Sequence, residues 1–503
     1  MGENRERGPF GYDAVPYRGR PVPWATPAAL ALTSRAHGGP ALDPTQRTRV
    51  LELGCGDGAH LLSLAWFRPH VAAVGIDASA PAIARAREAA RALGLTNVRF
   101  ELADLAAYAP AAPDERFDVV LAHGVYSWID ADARASLRRL TARALVDGGL
   151  AYVSFNAEPG WSVRGLVRAA LLRARPRGLT EARATLDGLA ALAGAVGDGP
   201  WPALFARELA RAAHAEDGYL AHEYLAPVNE AFWLEDVARA FADEGLAYVG
   251  DATFDRAEGF VDPELAAAAA RLGGGAGAAD AWIDLVAFRQ LRAAVLAKTG
   301  AVGAPPRPAL LVADAWIASA LARRSDPFDA REGVEETFDG ALGREVRVRS
   351  ATTKIALLLL ASRYPEALRL EALHAECAAR LAPLGLAADP PARLAEALGA
   401  LYTEMQVELR LEPARLGVAV PERPRALDLT RLEARERDVL STPTGGMLPL
   451  GPLERALVDH LDGSRDFAQL VAALAGDPVS AEGSLDARIA EALASLARWG
   501  LLA

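Results

Sequence analysis

Between residues 48 and 155 the hydrophobic positions fall in short unbroken runs, TRVLEL, VAAVGID, VRFELAD, FDVVLA and LAYVSF, separated by segments whose apolar residues recur at helical spacing. Unbroken apolar runs bounded by turns mark strands buried on both faces, and strands alternating with helices give a parallel sheet covered on both sides. The pattern predicts an α/β, Rossmann-like, doubly wound domain. After Trp161 long Ala/Leu/Arg segments at helical spacing predict a helical middle, broken by Gly-rich stretches at 194–200 and 273–277. Proline-rich connections at 301–309 and 418–428 bracket a mixed, mainly helical region with one β-rich stretch, GREVRVRS. From Met447 onward three amphipathic helices and a short apolar end predict a small helical or winged-helix module.

The chain has 503 residues, which at roughly 150 residues per domain predicts about three domains. The net charge of −11 disfavours a general nucleic-acid footprint, which would be basic. Cys55 and Cys377 are the two cysteines, with no CxxC or Cys/His spacing for a zinc site, so no metal is expected and a reducing, cytoplasmic setting fits. The N-terminal stretch is polar and Pro-rich, and the longest apolar runs, near 355–361, fall far short of the roughly 18 residues of a membrane span. Neither export nor a membrane anchor is expected.

The stretch Val50-Leu51-Glu52-Leu53-Gly54-Cys55-Gly56-Asp57-Gly58 carries the most chemistry: a buried strand ends in a turn with glycines at alternate positions, where the backbone can touch a ligand with no Cβ between them. The next strand ends in Asp77, at the position where an acid meets ribose hydroxyls. The third ends Glu101-Leu102-Ala103-Asp104-Leu105, which puts a carboxylate within reach of an adenine amino group. The turn lacks both the GxGxxG offset and the Gly-Lys-Ser/Thr of a P-loop, so an adenosine cofactor without phosphates fits best. Singly, Glu52, Asp77 and Asp104 each have a structural reading as a cap or turn residue; their order at successive strand ends favours the site. Cys55 reads as a small buried spacer rather than a nucleophile.

Together these residues resemble the S-adenosyl-L-methionine (AdoMet) site of class I methyltransferases. The resemblance implies that Glu52, Gly54, Cys55, Gly56 and Gly58 flank the methionine and ribose, that Asp77 and Ala78 bind the ribose, that Asp104 and Leu105 frame the adenine, and that S-adenosyl-L-homocysteine (AdoHcy) is the product. The fourth strand continues Leu121-Ala122-His123-Gly124-Val125-Tyr126-Ser127-Trp128, and further blocks follow at Ser154–Trp161, Tyr219–Leu225 with Asn229-Glu230, and Leu461–Asp466. With Tyr12–Tyr17, these resemble the bacterial methyltransferases that carry a methyltransferase regulatory domain, among them protein-lysine methyltransferases that modify outer-membrane proteins in rickettsiae. Where that family carries Thr-His-Pro and Tyr-Asn-Thr, this chain has Ala25-Thr26-Pro27 and Phe155-Asn156-Ala157.

The resemblance implies an AdoMet-binding domain with an N-terminal arm at 1–180, a helical regulatory domain at 181–300, a mixed, mainly helical domain at 301–428 and a winged-helix-like domain at 429–503. Ligands bind outside the carboxyl ends of such a sheet, so Tyr126, Trp128, Asn156 and Glu158 are the candidate catalytic residues, with His123 as a candidate base. Tyr126 and Trp128 read equally as packing residues under a lid, and His123 as a histidine bonded to backbone beside the cofactor. His123, Gly124 and Tyr17 complete the candidate cofactor set, with Tyr12 and Tyr17 as an arm closing over it. His222-Glu223 lacks the second histidine of an HExxH metal site.

Enzymes that methylate nucleobase amines in this fold carry Asp/Asn-Pro-Pro-Phe/Tyr after the fourth strand, which this chain lacks. The expected activity is methyl transfer to lysine side chains of a protein. The alternatives are a small metabolite or biosynthetic peptide as acceptor, or an AdoMet-binding regulatory protein without turnover. A protein or peptide substrate is the expected partner, without nucleic acid or membrane, and the near-balanced charge of the C-terminal module suits protein recognition or a homodimer better than DNA.

Overall fold

The computed structural model describes residues 15, 18–109, 115–197, 199–254, 261–274, 277–298, 302–324, 326–481 and 483–503. The first helix, α1 (Pro27–Ala36), precedes a strand-helix alternation: β1 (Thr48–Leu53), α2 (Ala59–Phe67), β2 (Val71–Asp77), α3 (Ala80–Ala92), β3 (Val98–Leu102), β4 (Phe117–Ala122), α4 (Ala131–Ala144) and β5 (Leu145–Ala157). Local chemistry sets the helix starts. The side chains of Thr26, Ser79 and Asp130 accept the backbone N–H of Ala29, Ala82 and Ala133, and Pro27 and Pro81 lie in first turns, where a missing N–H costs nothing.

Strands β3, β2, β1, β4 and β5 pair in parallel in that order. The sheet does not stop at β5. A two-residue strand β6 (Ala231–Phe232) pairs with the end of β5, and β7 (Ala247–Asp251) and β8 (Leu291–Ala297) complete the order β3-β2-β1-β4-β5-β8-β7, with β8 antiparallel to both β5 and β7. This corrects the expected helical domain at 181–300: three strands of the Rossmann-like sheet lie inside it. The helical part is an insertion after β5, made of α5 (Trp161–Ala174), α6 (Leu179–Val196), α7 (Pro200–Ala213) and a π-helical turn at Leu220–Leu225. It has its own small core around Val167, Leu171, Leu186, Leu209 and Tyr224.

Residues 302–412 form a mixed unit around the buried helix Ala351–Arg363, and its core takes in Ala31 and Leu32 of α1. The C-terminal module packs helices Asp428–Glu436, Pro452–His460, Phe467–Leu474 and Leu485–Arg498 around Leu457, Leu470 and Leu493, with a two-stranded pairing of Val439–Ser441 against Met447–Pro449. Phe67, at the end of α2, packs against this module, and Arg68 donates to Glu412 at 2.6 Å. The helix that follows the first strand therefore touches the far end of the chain. Among the described residues no helix is long and apolar enough to cross a membrane.

Candidate active site

The turn after β1 is tied down before it opens. Gly54 and Cys55 both donate backbone N–H to the carbonyl of Ile76 at the end of β2, at 2.8 and 3.0 Å. Gly54, Gly56 and Gly58 have φ of +74°, +54° and +77°, a left-handed conformation that L side chains rarely adopt. A Cβ at Gly54 would sit 2.5 Å from Val125, and one at Gly58 2.6 Å from Phe100, whereas one at Gly56 would meet none of the described residues within 4 Å. Two glycines are thus required by packing, and the middle one is left open by these residues.

Three carboxylates surround this turn. Asp77, at the end of β2, accepts the Gly56 N–H through Oδ2 at 2.9 Å and the Ser79 N–H through Oδ1 at 2.8 Å, so it holds the loop at its open glycine. Asp57 accepts the Ala59 N–H at 3.3 Å at the start of α2. Glu52 is only 4% exposed, and its Oε2 is buried with no hydrogen-bond partner among the described residues. Burial first, then the charges of Asp77 and Asp57, push its carboxyl up to about 8. A buried carboxylate with an unmatched oxygen is costly unless a cationic or donor group meets it. AdoMet carries both an ammonium and a sulfonium, so the residues present fit this cofactor.

Asp104 is exposed at the end of β3, with its Oδ1 accepting the Ala106 N–H at 2.8 Å, and Leu105 packs on the sheet core. Ala78 is exposed beside Asp77. Leu102, which pairs in register with Asp77, is 53% exposed and adds an apolar surface at the same strand ends. Cys55 turns its sulfur toward the sheet beside Gly75, and burial holds its thiol well above the ordinary range, so it is an inert spacer in the loop. Tyr12 and Tyr17 lie outside the described residues.

Beyond β4, His123 places Nδ1 2.8 Å from the Tyr152 hydroxyl and 3.2 Å from Ser154 Oγ, and Trp24 donates to the same hydroxyl at 2.9 Å. Burial pushes His123 down to about 4, so it is neutral at pH 7 and a poor base for an amine. Gly124 has φ +65° with none of the described residues within 4 Å on its Cβ side, and its N–H donates to Ser154 Oγ at 2.8 Å. The ends of β4 and β5 are thereby stitched together.

The four candidates part here: Trp128 and Glu158 are partly exposed, Asn156 is 3% exposed at the end of β5, and Tyr126 lies in the core. A turn at Val125–Trp128 sends the two aromatics apart. Tyr126 is 3% exposed, packed against Phe155, Phe232 and Phe241, with its hydroxyl accepting from Arg138 at 3.1 Å. Its expected catalytic place is corrected to a core residue, the packing alternative already present in its apolar surroundings. Trp128 donates Nε1–H to the His222 carbonyl at 3.0 Å, and Glu158 accepts from the Ser162 hydroxyl.

Asn156 belongs to a chain of amides that the sequence did not reveal. Asn229 Nδ2 donates to the Glu223 carbonyl at 2.8 Å, and Asn229 Oδ1 accepts from Asn156 Nδ2 at 2.8 Å. A backbone carbonyl can only accept, so it fixes the polarity of both amides and leaves the Asn156 carbonyl oxygen as the end free of this chain. Glu223 pairs with Arg164 at 3.3 Å, and His222 Nε2 lies 2.7 Å from the Val15 carbonyl. Ser127, whose Oγ accepts the Asn156 N–H at 2.8 Å, was missed, as were Ser154, Tyr152 and Asn229, because Ser, Tyr and Asn carry no spacing signal of their own; only the Asn229-Glu230 dipeptide hinted at one.

The sheet order, the glycine turn and the acids at successive strand ends define a class I methyltransferase domain. Comparisons with known proteins agree: a methyltransferase domain matches residues 44–156, a predicted methyltransferase regulatory domain 216–298, and a PKMT C-terminal winged helix domain 422–498. The chain carries these three domains in that order. Its fold is that of PKMT2 from Rickettsia typhi, with a TM-score of 0.82, 18% identity, and 97% of this chain and 99% of that one covered. The same protein in complex with AdoHcy gives 0.83 at 19% identity, covering 97% and 100%. An uncharacterised protein of Rickettsia prowazekii is 28% identical over 246 residues, 48% of this chain and 44% of the relative, so less than half of that relative is matched. A trans-aconitate 2-methyltransferase of Variovorax paradoxus is 33% identical over 144 residues, 28% of this chain and 52% of the relative.

Proposed function

We propose that this protein is an AdoMet-dependent methyltransferase that transfers methyl groups to lysine side chains of a protein substrate. The observation that carries the reading is the unmatched buried oxygen of Glu52 beside a glycine turn whose open residue is held by Asp77. Glu52 and the backbone of Gly54–Gly58 would hold the methionine end, Asp77 and Ala78 the ribose, and Asp104 with Leu105 the adenine; His123 and Gly124 would line the methyl-bearing side.

Bound AdoMet supplies an electrophilic methyl group on a sulfonium. The chain's own part is alignment and exclusion of water, since displacement needs the nucleophile placed in line and no covalent enzyme intermediate. A lysine amine, with a reference pKa of about 10.4, must shed a proton before it attacks. The Asn156 carbonyl, aimed by Asn229 and the Glu223 carbonyl, is suited to accept a hydrogen bond from that amine, with Trp128 alongside as an aromatic face for a cation. Glu158, half-exposed at the same end of β5, is suited to pass the proton to water.

The surface outside the sheet supports a macromolecular acceptor. The inserted helices expose Leu192, Val196 and Trp201, an apolar face that suits protein recognition or a homodimer. The −11 charge weighs against nucleic acid, and two cysteines far apart in the sequence suit a reducing, cytoplasmic setting. The likeness of the N-terminal domain to a trans-aconitate methyltransferase favours, as second reading, a small acceptor.

One assay separates the readings: the purified protein is incubated with methyl-labelled AdoMet and fractionated host lysate, and the labelled macromolecules are hydrolysed for amino-acid analysis. Label recovered as methyl-lysine is the expected result. Label confined to small molecules would replace the lysine reading with the second one, and binding without any transfer would make the protein a regulatory AdoMet binder.

A further inference from the structure

We propose that the C-terminal module is part of the cofactor site: Arg437 positions Asp57, and through it the glycine turn, for AdoMet. The inference rests on the reading that this turn holds AdoMet, and assigns to the module a role in binding it.

The turn is gripped from two sides at adjacent residues. Asp77, from within the sheet, accepts the N–H of Gly56. The next residue, Asp57, faces the Arg437 guanidinium at 3.2 Å, and the two side chains are 10% and 5% exposed. Arg437 comes from the other end of the chain. It is the residue immediately after the helix Asp428–Glu436, its own N–H bonded to the Glu433 carbonyl at 2.7 Å and its carbonyl taken by Arg455 at 2.6 Å. Its backbone is therefore fixed before its side chain reaches the turn. The same guanidinium donates to the Gly19 carbonyl, and Arg20 pairs with Asp438 at 2.7 Å, so the chain at Gly19 and Arg20 is held in the same seam.

Electrostatics gives the contact its purpose. Glu52, Asp77 and Asp57 crowd one turn, and each negative neighbour makes it harder for Glu52 to ionise and meet a cationic ligand. Arg437 neutralises one of the three at a buried position, where an unmatched charge is most costly. A planar fork bridges the Asp57 carboxylate and the Gly19 carbonyl together; a lysine ammonium offers no such fixed geometry. Arg437 is thus a positioning residue: it acts on the cofactor through Asp57.

The test is AdoMet affinity by calorimetry on the full chain, with folding checked by thermal melting. Arg437→Gln is expected to weaken AdoMet binding on the order of tenfold or more, Arg437→Lys to recover part of the loss, and Arg435→Gln, which cuts the exposed Arg435–Asp459 pair in the same module, to change it less than about twofold. Folded Arg437→Gln with wild-type affinity overturns the proposal, as does an equal loss in Arg435→Gln, which would mark a general effect of the module's stability. If Arg437→Gln does not fold, the paired variant Asp57→Asn/Arg437→Gln decides, because it strands no charge: several-fold weaker binding is expected, and wild-type affinity overturns the proposal. A wild-type chain that does not bind AdoMet overturns the underlying reading and this inference with it, a result distinct from all of these.

Discussion

Replacing Asp77 with alanine is expected to weaken AdoMet binding on the order of a hundredfold or more while leaving the protein folded. Two losses combine. The Asp77 carboxylate would no longer hold the Gly56 N–H at 2.9 Å, so the open glycine of the turn loses its anchor. The ribose would also lose a charged acceptor, and hydrogen bonds to charged groups contribute about 1.5–3 kcal/mol each, or roughly one to two powers of ten in affinity apiece. Asp104→Ala provides the contrast: its carboxylate is exposed, holding the Ala106 N–H in a turn, and its loss is expected to cost about tenfold. Titration calorimetry of both variants checks this. Equal affinity in Asp77→Ala and wild type would remove Asp77 from the site.

The second large effect is a pH dependence set by Glu52. The folded chain holds this carboxyl at about 8, against an ordinary value of 4.5, because burial and the neighbouring acids Asp77 and Asp57 oppose its charge. A group whose folded-state value is raised stabilises the fold fully below its unfolded value and loses that contribution as pH rises toward the folded one. The ligand-free protein should therefore lose stability between pH 4.5 and 8, by an amount on the order of 5 kcal/mol at most. Glu52→Gln removes the titrating group, so this variant is expected to melt higher than wild type near pH 8 and at about the same temperature near pH 5.

Binding runs the other way. A cationic ligand favours ionised Glu52, so AdoMet binding below pH 8 must expel the Glu52 proton. Affinity in the wild type is expected to rise by up to about tenfold per pH unit between roughly pH 5.5 and 7.5. In Glu52→Gln the rise disappears and affinity near pH 7.5 falls on the order of a hundredfold, the size expected when one partner of a buried charge pair is removed. Calorimetry across this range, in buffers of different ionisation enthalpy, reads the affinity and the released proton together. A flat profile in the wild type, indistinguishable from Glu52→Gln, would show that Glu52 does not face the cation. The tension between stability and binding is a physical account of why a glutamate remains in this buried place.

Much of the candidate site was legible because it is local. The run from Val50 to Gly58 places a buried acid and three left-handed glycines at alternate positions of one short segment, and the ends of β2 and β3 follow at the spacing a parallel sheet imposes. The last strands were not legible. β7 and β8, AYVGD and LRAAVLA, lie beyond a long helical insertion, and an Ala-rich apolar run bears the same composition whether it pairs in a sheet or lies in a helix. Only pairing settles it, of β8 with β5 and of β7 with β8. Tyr126 and Trp128 alternate as if both faced the mouth, and one turn hydrogen bond, from the Trp128 N–H to the Val125 carbonyl, separates them. Arg437 left no trace, and Asn229 showed only as part of the Asn229-Glu230 dipeptide, because their roles come from contacts across the fold: Asn229 orients an amide at the end of β5, and Arg437 reaches the first glycine turn from the last domain.

The most direct test of the account is a crystal structure of this chain grown with AdoHcy. The prediction is that the product's ammonium lies against Glu52 Oε2, its ribose hydroxyls against Asp77 and its adenine beside Asp104 and Leu105, with the Asn156 carbonyl on the side where the methyl group departs. AdoHcy bound elsewhere, or a Glu52 oxygen still buried without a partner in the complex, would contradict it.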